Sequence, residues 1–368
     1  MPFALLDVGT TKLAAGFGEG DRVHEIFRVP LPAVVIEGAS AAQPIAAIGE
    51  LLDLAMRRLI REIPSEHWQA LVLVGQRGTG VDADGRMRSW LDRTEGGLAS
   101  RSLVGWAAER LAGVVVDTWQ TGQLVASSVP HLPAGSEVGK LASGAPLILG
   151  GGDKNAEHWG AGVFESGVGA LSLGTAFSLG VVSPHPVSGG TFVAPSAMGG
   201  WYHVEIGIPW GGGLLPWADS LFGNPSALQD ESPLFYPYLR GSLDDPHEEA
   251  RWVGIHRPCT GGEMAAAVRE GIAFELRRLR GRLPIQPSRL RTTGGADADA
   301  FACQAIADAL EIPMEQLDER AVNATLVGAY AIGQHARGRK WSPRMSVLRT
   351  FMPTGFARAR YERWMKGL

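Results

Sequence analysis

Cysteine is almost absent: of 368 residues only Cys259 and Cys303 carry a thiol, and they lie far apart in the chain. Two such residues give neither a disulfide framework nor a cysteine-type zinc site, and a reducing, cytoplasmic context is expected. The nine histidines are scattered without zinc-ligand spacing. Long apolar runs are missing as well. No segment reaches the length that spans a bilayer, and the first hydrophobic stretch lacks a basic leader and is cut by Asp7, so no export and no membrane partner are expected. Nor is charge of one sign in excess. A formal net charge of −4 offers no general footprint for nucleic acid, and the locally basic tail 337–366 reads as a solvated, amphipathic terminal helix. The hydrolase elbow Gly-x-Ser-x-Gly does not occur, and Gly135-Ser-Glu-Val-Gly-Lys140 is too short between its glycines for a Walker loop, so it reads as a turn.

What is present is ordinary globular composition, 45% hydrophobic and 20% charged, over a chain long enough for two cores. Residues 3–9 and 12–17 read as two strands, Gly18-Glu-Gly-Asp21 as a hairpin turn and 22–29 as a third strand. The spacing of Ile45, Ile48, Leu51, Leu52, Ala55, Leu59 and Ile60 predicts an amphipathic helix that stops before Pro64. Ala70-Leu-Val-Leu-Val-Gly75 then reads as a buried strand. Thr260-Gly-Gly-Glu263 is a capping box that opens another amphipathic helix.

Two stretches carry chemistry. In Phe3-Ala-Leu-Leu-Asp-Val-Gly-Thr-Thr-Lys12 a strand delivers Asp7 near its tip and turns over Gly9, Thr10 and Thr11, which are the parts of a phosphate-binding turn with a carboxylate for a hydrated Mg²⁺. A turn residue capping its own backbone would explain Asp7 equally. In Pro146-Leu-Ile-Leu-Gly-Gly-Gly-Asp-Lys-Asn-Ala-Glu-His-Trp-Gly-Ala-Gly162 a buried strand meets three glycines and places Asp153 at the mouth of a helix. Asp153 reads either as a helix N-cap or as a site residue, and the glycines read as room for a ligand to approach the backbone.

These pieces, with Leu173-Gly-Thr-Ala176 and Thr292-Thr-Gly-Gly-Ala296, resemble in order and context the carbohydrate kinases of the FGGY type. The stretches 74–93 and 238–246 are weaker matches to the same family. The resemblance implies an α/β protein of two ribonuclease-H-like, actin-like ATPase domains closing around a central cleft. It implies a domain over 1–163, mainly sugar-binding, and a domain over 164–368, mainly ATP-binding, with the basic terminal helix. It also implies ATP-dependent phosphorylation of a hydroxyl of a small sugar, ketose or polyol, with ATP and Mg²⁺ as cofactors. By the same resemblance Asp153 is the general base, touching both acceptor and metal. Asp7 is the metal carboxylate, Gly9, Thr10 and Thr11 form the first phosphate turn, and Gly174 with Thr175 forms the second. Gly294, Gly295 and Ala296 lie at the adenosine, where small residues let a purine approach the backbone and a helix start favours anions. Gln76, Arg77, Trp90 and Asp92 match sugar-contacting positions, with Trp90 as a core anchor and Asp92 as a surface acid the other readings. Gly78 stands where relatives carry a sugar-touching Glu or His, and only residues 93–149 separate Asp92 from the Gly-rich loop, so the first domain is trimmed. A catalytically inactive sugar- or nucleotide-binding regulator of the same fold is the alternative, and an actin-like ATPase a third reading. A homodimer is admitted as an assembly.

Overall fold

The computed structural model describes the chain except residues 83–84, 93, 95–99, 165–166, 187–191, 198–199, 240, 243, 246, 321 and 368 and the side chain at 297. The stretches 74–93 and 238–246 quoted above are thus described in part, and Arg93 lies outside. The chain divides into two compact units, Met1–Gly162 with Ala194–Tyr202 and Glu319–Arg344, and Val163–Val193 with His203–Asp318 and Met345–Leu368.

The first unit opens on a meander of β1 (Phe3–Val8), β2 (Lys12–Glu19) and β3 (Arg22–Pro30), with Gly20 at φ 62° in the tight turn between β2 and β3. All six β1 residues are buried because both faces of this strand are covered, Ala4, Leu6 and Val8 packing with Ile48 and Leu52 and Phe3 with Tyr330, whereas β3 at the sheet edge alternates intermediate and exposed residues. After β4 (Val35–Glu37) and β5 (Ser40–Gln43) comes α1 (Ile45–Glu62), which buries Ile48, Leu52, Ala55 and Leu59 and ends before Pro64. Strand β6 (Ala70–Gly75) follows. The short strands β7 (Gly80–Val81), β8 (Met87–Arg88) and β9 (Arg101–Ser102) join β4 and β5 in a small sheet. Next come α2 (Leu103–Ala112), β10 (Asp117–Thr118), the single turn α3 (Trp119–Gly122), β11 (His131–Leu132), β12 (Ser136–Lys140), β13 (Pro146–Gly152) and α4 (Asp153–Gly160). The main sheet runs β12-β13-β6-β1-β2-β3. Its strands β1, β6 and β13 are parallel, and Val8 and Gly152 both register with Gly75, so all three end at one edge of the sheet. The run read as a turn at 135–140 is the antiparallel strand β12, its glycine accommodated by a bulge between Glu137 and Gly139.

The stretch expected as one domain over 164–368 returns Ala194–Tyr202 and Glu319–Arg344 to this unit. The second return is α8 (Ala324–Ala336), capped by Asn323, and small residues explain its seat. A Cβ at Gly328 would lie 1.6 Å from the Ala156 carbonyl oxygen, and one at Gly160 would lie 1.9 Å from that of Ala324. Only bare backbones let α4 and α8 approach so closely. On its other side α8 packs against the central strands, with Gly333 against Val72 and Phe3 and Tyr330 edge-on to Phe3.

The second unit is built on a sheet of order β16-β17-β15-β14-β20-β21-β22. Its strands are β14 (Val168–Leu173), β15 (Phe177–Ser183), β16 (Phe192–Pro195), β17 (Tyr202–Ile208), β20 (Arg289–Thr293), β21 (Met314–Leu317) and β22 (Val347–Phe351). The helices are α5 (Gly211–Phe222), α6 (Gly261–Arg280), α7 (Ala300–Leu310) and α9 (Ala357–Met365), with the hairpin β18 (Leu234–Tyr236) and β19 (Arg251–Val253) beside them. The Thr260–Glu263 capping box opens α6 as expected. The basic tail is not one solvated helix. It supplies β22 and the short α9, and Arg360 of α9 is fully buried, its guanidinium on the Glu270 carboxylate and the carbonyls of Gln229, Asp230, Ser232 and Pro233. Among the described residues no helix is long and apolar enough to cross a membrane.

Candidate active site

In the first unit the shared edge of β1, β6 and β13 gathers the predicted acids and their neighbours. Asp7 sits one residue before the end of β1 and is 2% exposed. Gln76, one residue past β6, donates its N–H to the Val8 carbonyl at 2.9 Å, and Asp153 begins α4 directly after β13. Burial pushes the Asp7 carboxyl up to about 8, with the Asp153 and Glu157 carboxylates adding and the Lys12 and Lys154 ammonium groups opposing. Its Oδ1 has no hydrogen-bond partner among the described residues. Burial likewise raises Asp153 above the usual carboxylate range; Lys154 and Arg77 pull against that and Glu157 adds to it. Asp153 is not the cap of α4. That position is Gly152, and Asp153 Oδ1 accepts the Lys154 N–H at 2.9 Å.

The three glycines before Asp153 have protein neighbours. A Cβ at Gly150 would lie 2.4 Å from Val74, one at Gly151 1.8 Å from Gln120 Oε1, and one at Gly152 2.4 Å from Arg77 Cδ. Gly151 also has φ 85° at a bulge against β6. The glycines therefore serve internal close packing, which corrects their reading as room for a ligand, and they seat the Arg77 stem beside Asp153.

The first turn is held from outside. The Gly9 N–H donates to the Lys12 carbonyl at 3.0 Å, and Gln43 of β5 donates to the carbonyls of Thr10 at 3.1 Å and Pro32 at 2.7 Å. Gln76 Nε2 in turn reaches Gln43 Oε1 at 3.5 Å, and Gln76 Oε1, buried, has no partner among the described residues. Trp90 lies against Gly78, where φ is 69° and a Cβ would meet Trp90 Cβ at 3.0 Å. A side chain there would strain the backbone and crowd Trp90, so glycine suits position 78. Asp92 is occupied: Oδ2 accepts the Ala41 N–H at 2.8 Å, and Oδ1 accepts the N–H of Thr94 at 2.9 Å and its hydroxyl. Burial raises its pKa, but these hydrogen bonds and Arg88 outweigh it and hold it below the ordinary value.

In the second unit three glycine segments converge. Gly174 and Thr175 turn between β14 and β15, the Gly212 N–H at the start of α5 donates to the Thr175 carbonyl at 3.1 Å, and a Cβ at Gly212 would lie 1.9 Å from the Gly174 carbonyl. Gly294, at φ 98°, would bring a Cβ within 2.8 Å of the Leu173 backbone, while Gly295 faces open space. Ala296 follows in a short turn of 3₁₀ helix, and Asp299 caps α7 through the Ala302 N–H at 2.9 Å. Arg269, 2% exposed, braces the arrangement by binding Asp299 at 2.8 Å and Asp219 of α5 at 2.8 Å. A cavity of about 370 Å³ lies elsewhere, lined by residues such as Glu270, Phe301, Gln304 and Asp308 and by none of the predicted site residues.

Sequence reasoning missed Gln43, Gln120, Arg269 and the Gly211–Gly213 run. Only the last carried a signal, as three consecutive glycines after a strand. Glu157 and His158, on the helix that Asp153 opens, are 6% and 1% exposed.

Residues 169–337 match the C-terminal domain of the FGGY family of carbohydrate kinases. Glycerol kinase of Myxococcus xanthus is 29% identical over 230 residues, which is 55% of this chain and 46% of that protein. Glycerol kinase of Ralstonia pickettii is 27% identical over 239 residues, 57% of this chain and 48% of that protein. The chain thus spans about half the length of the curated relatives it matches. Among solved structures, a xylulose kinase from Brucella ovis superposes with a TM-score of 0.80 at 18% identity, covering 100% of this chain and 98% of that one. Plasmodium falciparum glycerol kinase with ADP gives 0.75 at 13% identity, covering 100% and 97%. The fold is the actin-like, ribonuclease-H-like one expected from the sequence.

Proposed function

We propose, for a chain whose fold and C-terminal domain are those of the FGGY family of carbohydrate kinases, that it transfers the terminal phosphoryl group of ATP to a hydroxyl of a small sugar, ketose or polyol, in the cytoplasm. The observation that carries this reading is a carboxylate pair of which Asp7 is buried and Asp153 half-buried. Asp7 and Asp153 lie close enough at one sheet edge for the charge of Asp153 to raise Asp7, and Asp7 Oδ1 is left without a partner among the described residues. A pair of that kind fits a hard divalent cation, which relieves the repulsion and supplies the missing ligand. Asp7 and Asp153 would hold Mg²⁺, and the bound ion would neutralise charge on the phosphates.

The remaining work belongs to the chain. Asp153, raised by burial, accepts the proton of the attacking hydroxyl. Gln76, with a buried oxygen without a partner among the described residues, and Arg77, seated against Gly152, contact the acceptor, with Trp90 beside them. Asp92 is assigned to the acceptor through its hold on β5 rather than by direct contact, since both its oxygens already accept hydrogen bonds. Gly9, Thr10 and Thr11 form one phosphate turn, and Gly174 and Thr175 form another. Gly294, Gly295 and Ala296 receive the adenosine. Positioning and charge stabilisation supply most of the catalysis in such a transfer, which matches a site made of turns and few titratable groups. The similarity to carbohydrate kinases gives no support to the inactive-regulator alternative.

ADP release over a panel of ketoses, aldoses and polyols tests the reading. At least one should be turned over, and Asp153→Asn should lower that turnover by about 10²- to 10⁴-fold while leaving acceptor binding largely intact. A parent protein that binds one of these sugars yet consumes no ATP with any of them would overturn it.

A further inference from the structure

The polar side chains of segment 117–122 are buried, beside an exposed Trp119, and are assigned to nothing by the kinase reading. Asp117, Thr118, Gln120 and Thr121 are each 0% exposed. The Asp117 carboxylate accepts the Ser102 N–H at 2.8 Å, the Ser102 hydroxyl and the Thr121 hydroxyl at 3.1 Å, and Thr118 caps the single turn α3 through the Thr121 N–H at 3.3 Å. Ser102 also caps α2 through the Gly105 N–H at 3.1 Å. The turn is thereby fixed to a long helix of the same unit. A satisfied network of this density rigidifies what it carries.

What it carries is Gln120. Its Oε1 accepts the Gly152 N–H at 3.2 Å, and its Nε2 donates to the Pro195 carbonyl at 3.0 Å. Gly152 immediately precedes Asp153 and has no side-chain cap of its own, and the pairing with β6 shifts register between Leu149 and Gly151, just ahead of it. Gly151, at φ 85°, gives Oε1 the space that a Cβ would fill. One carboxamide therefore uses its acceptor on the backbone beside Asp153 and its donor on the returning segment Ala194–Tyr202.

We propose that Gln120 is the positioning residue for the transfer: it sets the start of α4, and through it the Asp153 carboxylate, without touching substrate. The proposal rests on the reading of Asp153 as base. The Asp117–Thr121 network aims Gln120, and Gln120 aims the base.

Gln120→Met keeps the length and removes both hydrogen bonds, and Gln120→Glu keeps an acceptor for Gly152 but loses the donation to Pro195. Hydrogen exchange on the parent and variants reads the geometry independently of activity. The amides of Gly152 and Lys154 should exchange faster in Gln120→Met, with those of α1 unchanged, and unchanged exchange at Gly152 would overturn the proposal whether or not the protein is a kinase. Turnover reads the consequence. Both variants should lose about 10- to 100-fold in kcat, as expected for a small misplacement of a reacting group, with the KM for ATP held. In an Asp153→Asn background Gln120→Met should add no further loss, because Gln120 acts only through that carboxylate. A further loss there, or near-parental kcat in both single variants, would overturn it. A parent without turnover on the whole panel sinks the kinase reading, and the exchange result alone then decides whether Gln120 holds the α4 start. Should Gln120→Met fail to fold, Gln120→Leu, which also removes both hydrogen bonds, carries both measurements.

Discussion

Asp7 is the residue whose environment is most out of keeping with its chemistry, and the consequence is measurable without substrate. In the folded chain its carboxyl is pushed from 3.8 to about 8 by burial and by Asp153. The folded state therefore keeps a proton that the unfolded chain releases, so Asp7 favours folding most at low pH, and that contribution is lost as pH rises through about 8. A divalent cation reverses the preference by requiring the ionised form. We expect the thermal midpoint of metal-free parent, measured relative to Asp7→Asn, to fall between about pH 5 and about pH 8.5, and Mg²⁺ to restore it at the alkaline end. A difference that stays flat across that range would show Asp7 titrating as an ordinary carboxylate. Sequence made the type of residue at this position legible, because an acid at a strand tip before Gly-Thr-Thr is a local pattern. It did not reveal Glu157 and Lys154 as neighbours of that acid, because their placement depends on which face of α4 turns inward.

Among the elements, those with their own periodicity were legible and those that depend on a distant surface were not. The β1–β3 meander, the α1 stripe and the α6 capping box are each specified by residues within a few positions of one another. Helix α8 has no apolar stripe to announce its destination: residues 324–334 are all buried, and its fit to α4 depends on glycines on both helices. The terminal tail misled for the opposite reason, since Arg360 reads as solvated until Glu270 and four carbonyls are brought to it from elsewhere. The turn after β20 offers the clearest test at this scale. Gly294 must stay glycine for the fold, at φ 98° and in contact with Leu173, whereas Gly295 has open space around it. Gly295→Val should therefore leave the apo thermal midpoint near parental and diminish the stabilisation by Mg·ATP, because the added side chain occupies the approach proposed for the base. An undiminished ATP shift in this variant would place the nucleotide elsewhere.

At the scale of the whole molecule, the chain crosses between its two units more often than a cut near residue 163 suggests. The first unit's central strands are covered by α8, which arrives after the second unit's sheet is nearly complete. Without it Phe3 loses its Tyr330 partner, Val72 loses Gly333, and Ala156 loses Gly328. A contiguous apolar surface on β1, β6 and β13 would then face water, and exposed patches of that kind promote aggregation. Residues 1–163 expressed alone should accordingly bind a hydrophobic dye and unfold without a cooperative transition. The same stretch fused through a flexible linker to 319–344 should melt cooperatively, since the linker costs little beyond its closure entropy while the helix restores the cover. The contrast between the two proteins is the measurement. A cooperative melt from 1–163 alone, near that of the fused form, would mean that the six-stranded sheet with α1 and α2 is self-sufficient and that α8 is an accessory to this unit rather than part of its core.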